Sequence, residues 1–330
     1  MLRLVISNQT YPFLNIAVEN YLLSQPEEDV VTMYLWKNHR TVVIGQNQNP
    51  YAECHVELLE SEGGHLMRRR TGGGAVYHDD GNLNFSFVAP HKLYNIQRQM
   101  SVLQKAVESY GLRTEVSGRN DVVCYDREGQ ARKFSGNAFN KAQYQHLHHG
   151  TILINGNMAD IQRYLTVKPA KLQKHGVASV RSRVVNLAEL ADVTCENIVP
   201  RLVAAFEEVY SGKVEEVPFR AYADLPDVQQ LCRGFEDDEW RFGRWRNFKA
   251  QRKAQFDWGG VEMELDIDEA HAVITRVVVA TDCLQPDAIA DACQLLEGGS
   301  TKQPPQVPVE MSPDKRRIIN DIFSMVYGEM

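Results

Sequence analysis

The sequence predicts an α+β protein, with a large domain of mixed and antiparallel β-sheets flanked by helices and a small α/β accessory domain behind it. Three observations carry the prediction. Leu14, Ala17, Val18, Tyr21 and Leu22 fall at the i, i+3, i+4, i+7, i+8 spacing of one buried helix face. Short β-rich runs crowd residues 2–154. Farther on, Val261, Met263, Leu265 and Ile267 alternate strictly with Glu262, Glu264, Asp266 and Asp268, which marks a half-buried strand with an acidic outer face.

The elements follow in order. Leu2, Leu4 and Ile6 alternate as a strand. Pro12 suits the first turn of the following helix, because the N–H it lacks would be unsatisfied there anyway. Strand-like runs cover residues 30–36 and 41–44, the second closed by Gly45. One helix is expected over 53–61, stopped at Gly63-Gly64. Residues 66–89 read as strand, glycine loop, strand, with Leu83, Phe85 and Phe87 on one apolar face. Ile96, Met100, Leu103, Val107 and Tyr110 mark a helix stopped by Gly111. β-rich segments at 121–125, 132–140 and 151–154 precede a helix stripe at Ile198, Leu202, Phe206 and Val209. Beyond Trp240 the order is β-β-α-α: the alternating strand, a strand over 272–280, and helices over 285–296 and 313–327. The expected domains are 1–243 and 248–330, with a linker at about 244–247.

Composition narrows the function. With 330 residues, 43% hydrophobic and 24% charged, the chain can bury its own core, and disordered or low-complexity classes drop out. No apolar run approaches the roughly 18 residues a membrane helix needs. The N-terminus lacks the layout of a secretory signal. Six cysteines, at 54, 124, 195, 232, 283 and 293, form no C-x-x-C pair. That argues against a zinc site or disulfide framework and fits a reducing compartment, a bacterial cytoplasm by default or an organelle matrix. A net charge of −7 speaks against general nucleic-acid binding. The basic and aromatic cluster at 240–253 would suit a single-strand nucleic-acid platform, but a domain junction with buried aromatics and solvated arginines is the preferred reading.

Against that acidic average, Arg68-Arg69-Arg70-Thr71-Gly72-Gly73-Gly74-Ala75 stands out. Ordered glycines cost about 0.5–1 kcal/mol each relative to alanine. A turn with positive φ, or close approach of the backbone to a ligand, would justify them. Successive N–H groups form an anion nest, and a flanking arginine adds a bidentate fork; the alternative is a hairpin turn with solvated arginines. The pattern is neither a Walker A loop nor G-x-G-x-x-G. Gly118-Arg119-Asn120-Asp121 reads as a turn into a strand. Lys133-Phe134-Ser135-Gly136-Asn137-Ala138 reads as a lysine entering a turn of small residues. It is either a surface lysine or a point charge aimed at the charge that develops in phosphoryl or nucleotidyl transfer. His148 and His149 are adjacent on a strand and point to opposite faces, so a shared metal is not expected. Arg181 and Arg183 would share a face if extended, as a solvated basic loop or a clamp on phosphates.

In this order and spacing, these segments, with Val76-Tyr77-His78-Asp79 after the glycines, resemble the lipoate–protein ligase A family of the biotin/lipoate ligase superfamily. The resemblance covers essentially the whole chain. It implies a biotin/lipoyl ligase-like fold and a reaction in two steps. Lipoate and Mg-ATP give lipoyl-AMP and pyrophosphate. The lipoyl group then passes to a lysine of an apo E2 lipoyl domain of a 2-oxoacid dehydrogenase, or of the glycine-cleavage H protein. By the same resemblance, Lys133 is the catalytic lysine, between the lipoyl carboxylate and the α-phosphate. Arg70, Thr71, Gly72, Gly73 and Gly74 correspond to the lipoate-binding loop, with Arg70 also on the phosphate of ATP and lipoyl-AMP, and with Ser135, Gly136 and His149 also on the lipoate side. Gly74, Ala75, Val76, Tyr77 and His78 read the nucleotide, together with Asn120, Asp121, Arg181 and Arg183. Mg²⁺ rides on ATP, with Asp121 touching it through water and no dedicated metal cage. A loop over 166–183 closes on the adenylate and excludes water. No nucleic-acid or membrane partner is implied, and a monomer is expected.

Acyl transferases of the same fold need a thiol near the lysine, and no cysteine lies between Cys124 and Cys195. The alternative kept open is a lipoyl or octanoyl transferase that uses a pre-activated donor without adenylating it.

Overall fold

The computed structural model describes residues 1–118, 120–166, 184–242, 250–268 and 271–328. The chain divides into two compact units. Met1–Val43, Cys54–Met67 and Val76–Asp237 form the first; Ile44–Glu53, Arg68–Ala75 and Asp238–Met330 form the second. The second unit thus draws on two early segments as well as the C-terminal stretch.

The first unit is built on an eight-stranded mixed sheet. Its strands are β1 (Leu2–Ile6), β2 (Val31–Trp36), β6 (Asn82–Pro90), β7 (Thr114–Ser117), β8 (Asp121–Tyr125), β9 (Ala131–Lys141), β10 (Gln145–Leu153) and β11 (Val214–Glu216). The order is β11-β1-β2-β6-β10-β9-β8-β7. β1 runs parallel to both β11 and β2, and the other pairs are antiparallel. A second sheet has β3 (Thr41–Ile44) between β4 (His65–Arg68) and β5 (Val76–His78).

One face of the large sheet carries the apolar core. Phe85 and Phe87 of β6 meet Met100, Leu103 and Val107 from the helix Ile96–Glu108, and Ile198, Leu202 and Phe206 from the helix Cys195–Tyr210. Both helices start on side-chain caps, Asn95 accepting from the Arg98 N–H and Thr194 from that of Asn197, which satisfies donors the helix cannot. The other face of β6 is buried too, although Asn84 and Ser86 are polar. The helix Pro12–Ser24 covers that face, and its Glu19 accepts from Ser86.

The helix expected over 53–61 is broken in two, Pro50–Glu53 and Val56–Ser61. Cys54 instead bridges to Leu165, and the His55 N–H donates to the Tyr164 carbonyl, so tertiary pairing takes the backbone groups that a continuous helix would use.

The second unit contains the sheet β12 (Ala250–Phe256), β13 (Gly259–Asp268) and β14 (Val273–Thr281), in that order. Within this sheet β12 is the strand the sequence did not disclose, as β7 and β11 are in the first unit. It pairs antiparallel with β13 from Ala250↔Leu265 to Phe256↔Gly259. Its Ala-Gln-Arg-Lys-Ala-Gln-Phe run has almost no apolar alternation to announce it. Val261, Met263 and Leu265 of β13 are buried as the alternation predicts, packed with Ile289 from the helix Pro286–Leu296 and Ile319, Ile322 and Phe323 from the helix Pro313–Tyr327. No helix among the described residues is long and apolar enough to cross a membrane.

Candidate active site

In the first unit the site is built on β8 and β9. Lys133 lies within β9, which runs on as strand through the small residues where the sequence suggests a turn. The register shifts beside it: Val122 faces Ser135, whereas Val123 faces Lys133, so one residue of β9 is extra. Such a bulge re-aims side chains. Residues three apart on a regular strand face opposite sides. Here Lys133 and Gly136 share a side, because a Cβ built on Gly136 would lie 3.0 Å from the Lys133 Nζ. Phe134 meanwhile stays in the core. The Lys133 ammonium sits 2.7 Å from Asp121 Oδ1, with both side chains about a third exposed (35% each). A pair this exposed adds little stability; it fixes where the ammonium points.

Behind the bulge, polar groups lock the two strands. Asn137 donates its backbone N–H and its side-chain amide to the Asn120 carbonyl, at 2.8 and 3.0 Å. Asn120 returns a bond from its own amide to the Asn137 carbonyl at 3.2 Å. Ser135 is fully buried beside them, 3.4 Å from the Asn137 amide.

The adjacent histidines do face opposite sides. His148 is wholly buried among Phe85, Phe87 and Phe139, and burial pushes its pKa down to about 3. Its Nε2 is 2.8 Å from Asn137 Oδ1, and since the Asn137 amide nitrogen is committed to Asn120, the neutral ring carries its proton on Nε2. Nδ1 lies 3.1 Å from Gln99 Oε1; a neutral ring with its proton on Nε2 requires that amide to be turned over, nitrogen to the ring. His149 meets Glu19 Oε2 at 2.8 Å, and both are buried. Glu19 also accepts from Ser86, which accepts from the Trp36 indole at 3.0 Å.

β5 contributes Val76, Tyr77 and His78. They pair with Val43, Val42 and Thr41 of β3, and β5 is the edge of its sheet, which leaves its other edge outside the ladder. The amide of Asn15 donates to Asn38 Oδ1 at 3.1 Å, so the Asn38 nitrogen faces His78 Nδ1 at 3.2 Å and sets the neutral tautomer with its proton on Nε2.

The glycine loop and its arginines lie in the second unit, and the three arginines do different things. Arg68 is 4% exposed and donates to the carbonyls of Gln46, Gln48, Trp240 and Arg241 at 2.7–3.1 Å. Burial lowers its pKa to about 10. Arg69 is 6% exposed and turns into the loop itself: its Nε donates to Thr71 Oγ1 at 2.9 Å, and its Nη2 to the Gly72 and Gly74 carbonyls at 2.7 and 2.9 Å. Arg70 alone is exposed, its guanidinium 5.9 Å from the centre of the Trp240 ring.

The three glycines have three separate reasons. A Cβ on Gly72 would lie 2.0 Å from the Cys283 carbonyl oxygen. Gly73 has φ +95 and would press a Cβ to 2.8 Å from Arg69 Nη2, while its N–H donates to the Cys283 carbonyl at 3.1 Å. Gly74 has nothing within 4 Å of a Cβ. The backbone approach inferred from the sequence is therefore, at Gly72 and Gly73, an approach to protein. Only Gly74 faces open space.

Lys133, Asn120, Asp121, Ser135, Gly136 and His149 thus lie in the first unit with Val76, Tyr77 and His78, whereas Arg70, Thr71, Gly72, Gly73, Gly74 and Ala75 lie in the second. Arg119, Arg181, Arg183, the 167–183 part of the expected closing loop and the 244–247 linker fall outside the described residues. Arg69, Asn137 and Glu19 were not singled out by the sequence, and His148 was noted only as the opposite-facing neighbour of His149. Asn15 and Glu19, four apart on a largely apolar helix, were the available signal for Glu19. No group of three or more His, Cys, Asp or Glu poised for a metal occurs among the described residues. Burial pushes the thiols of Cys124 and Cys195 up to about 11, and those of Cys54, Cys232 and Cys293 to about 12, so they stay protonated and unreactive at neutral pH.

Residues 11–207 match the lipoyl protein ligase A/B catalytic domain, and residues 246–304 match the bacterial lipoate protein ligase C-terminus. A curated relative from Psychrobacter cryohalolentis, named lipoate-protein ligase A, is 36% identical over 87% of this chain and 85% of its own. One of the same name from Bdellovibrio bacteriovorus is 34% identical over 90% of this chain and 88% of its own. Among solved structures, P. falciparum LipL1 in complex with lipoate superposes with a TM-score of 0.79 at 25% identity, covering 97% of this chain and 94% of that one. The chain therefore belongs to the lipoyl protein ligase A/B family and is an enzyme of the ligase type.

Proposed function

We propose that this enzyme activates lipoate with ATP and transfers the lipoyl group to a lysine of acceptor proteins, the apo lipoyl domains of E2 subunits and the glycine-cleavage H protein. The observation that carries the reading is Lys133, turned out of β9 by a bulge, held by Asp121 and given room by Gly136. Attack of the lipoate carboxylate on the α-phosphorus builds charge on the non-bridging oxygens. A fixed ammonium stabilises that charge more than it stabilises the ground state. Lys133 acts as a cation and forms no covalent bond. Arg70, with the open side of the loop at Gly74 and Ala75, takes the carboxylate and phosphate groups, while Val76, Tyr77 and His78 offer a strand edge to the adenine. His149 and the Glu19 beside it lie on the lipoate side. In this reading Lys133 meets the charge of the anionic intermediate, and the family resemblance assigns Arg70, Arg181 and Arg183 to the same ligand.

Mg²⁺ fits only as the companion of ATP, where it neutralises phosphate charge. Among the described residues no cage of acidic residues competes for it, and Asp121, already engaged by Lys133, reaches it through water. Residues 1–243 are read as the catalytic domain and 248–330 as the accessory domain of a cytoplasmic monomer.

The thiols held protonated by burial count against a cysteine-based transferase. The test is mass spectrometry of an apo E2 lipoyl domain after incubation with enzyme, lipoate and Mg-ATP. The reading predicts a gain of one lipoyl group that depends on ATP. Modification from a pre-formed lipoyl-nucleotide but not from lipoate and ATP would establish the transferase alternative instead.

A further inference from the structure

The three neighbouring arginines are not equivalent, and the middle one carries the inference. We infer that Arg69 is the positioning residue of the glycine loop: it fixes the peptide between Gly74 and Ala75 so that the Ala75 N–H faces the substrate's anionic group. The inference rests on the function proposed above.

Arg69 is buried, and its planar fork reaches Thr71 Oγ1, the Gly72 carbonyl and the Gly74 carbonyl from one place, at 2.9, 2.7 and 2.9 Å. Its own backbone N–H donates to the Ile44 carbonyl at 3.0 Å, which anchors the residue from the other side. In a planar trans peptide the carbonyl and the next N–H point in opposite directions. Drawing in the Gly72 carbonyl therefore turns the Gly73 N–H away from Arg69, and that N–H does donate outward, to the Cys283 carbonyl at 3.1 Å. The same rule applied two residues on turns the Ala75 N–H away from Arg69. Gly74 is also the glycine whose Cβ would meet nothing within 4 Å. The loop thus has a protein-facing peptide at 72–73 and, at 74–75, a peptide whose N–H points away from Arg69 beside the open side of Gly74, both set by one guanidinium. Preorganised backbone donors of this kind stabilise anions most, because they do not reorient when charge develops.

An ammonium at this place could not do the same. It is a point charge on a flexible stem and lacks a planar array to hold three acceptors at once. Gly73 is part of the device as well, since a side chain there would displace Nη2.

The test uses the full-length enzyme, Arg69→Lys, and protein labelled with ¹⁵N-alanine, with the Ala75 amide assigned by its loss in Ala75→Gly. The probe is a non-hydrolysable lipoyl-adenylate analogue. In the wild type the Ala75 amide should shift downfield on binding. In Arg69→Lys that shift should be lost, kcat for lipoate-dependent pyrophosphate release should fall about 10²-fold, and KM for ATP should stay within about threefold. A general loss of folding would instead lower active-site concentration and leave the KM values and the shift of the folded fraction intact. Thr71→Val, which removes one acceptor of Arg69, should give the same signature in weaker form, and it serves if the lysine variant does not fold. An Ala75 shift in Arg69→Lys equal to that of the wild type, with kcat unchanged, overturns the role of Arg69. No Ala75 response in the wild type overturns the placement of substrate on this loop, and with it the inference. If the wild type also releases no pyrophosphate with lipoate, the proposed function fails as well.

Discussion

The glycine loop at 72–74 and the lysine strand at 131–141 both present positive or hydrogen-bond-donating groups, yet they are held by opposite means. The loop is held from inside by a buried guanidinium and from outside by the backbone of Cys283, so Gly72 and Gly73 are steric necessities. Lys133 is held by strand register, a bulge that turns it outward and a half-exposed carboxylate that meets it. Damage at Gly72 or Gly73 should therefore cost folding and binding together, whereas damage at Lys133 should cost chemistry alone.

Lys133→Ala should show the largest effect. Lipoate-dependent pyrophosphate release should fall about 10²–10³-fold, equivalent to roughly 3–4 kcal/mol of lost transition-state stabilisation. The melting temperature should hardly move, because an exposed ion pair contributes little. A large loss of stability would mean that the lysine is structural and that the contrast between the two regions fails.

Gly72→Ala and Gly74→Ala sharpen the contrast within the loop. The first drives a Cβ to 2.0 Å from a carbonyl oxygen and should destabilise by about 1–3 kcal/mol, besides weakening lipoate binding. The second meets nothing and should leave thermal stability unchanged while still reducing lipoate affinity. Denaturant melts combined with calorimetric titration separate the two; equal destabilisation would break the distinction drawn between them. Gly136→Ala is milder, since the flexible tip of Lys133 can move aside from a Cβ at 3.0 Å. A fall in kcat of about tenfold, with no change in melting, is expected from shifting the ammonium away from its best position.

How much was legible in the sequence differs between the two regions for a physical reason. Glycines advertise themselves, because nothing in a packed core gains from three in a row, so the loop was visible without any relative. Which of its neighbours matters was not visible: three adjacent arginines look alike in sequence, and only burial separates Arg68 and Arg69 from exposed Arg70. A single lysine is uninformative, and Lys133 was picked out only by the family order of motifs. The bulge that turns it outward leaves no compositional trace. The alternation of β13 was plain, whereas its partner β12, rich in Gln, Arg and Lys, was hidden, because cross-strand pairing rather than an apolar face keeps it in the sheet. The break between Glu53 and Val56 was equally hidden, since it depends on Tyr164 and Leu165, over a hundred residues away in sequence.

The smallest expected effect concerns His148. Its folded pKa is depressed to about 3, whereas an unfolded histidine titrates near 6.5. The unfolded chain therefore binds the extra proton first. Stability due to this group is full above about pH 6.5 and is lost as pH falls toward 3. His148→Gln should remove that part of the acid dependence and flatten the melting curve below pH 6.5. A wild type and variant with identical acid profiles would show that His148 is not held neutral in the core.

The most direct test of the central claim is a single-turnover measurement of pyrophosphate from wild type and Lys133→Ala, given lipoate and Mg-ATP with no acceptor protein. A lipoate-dependent burst of one pyrophosphate per active site in the wild type, slowed at least a hundredfold in the variant while the fold persists, is the predicted result. A burst of equal rate in both would contradict it.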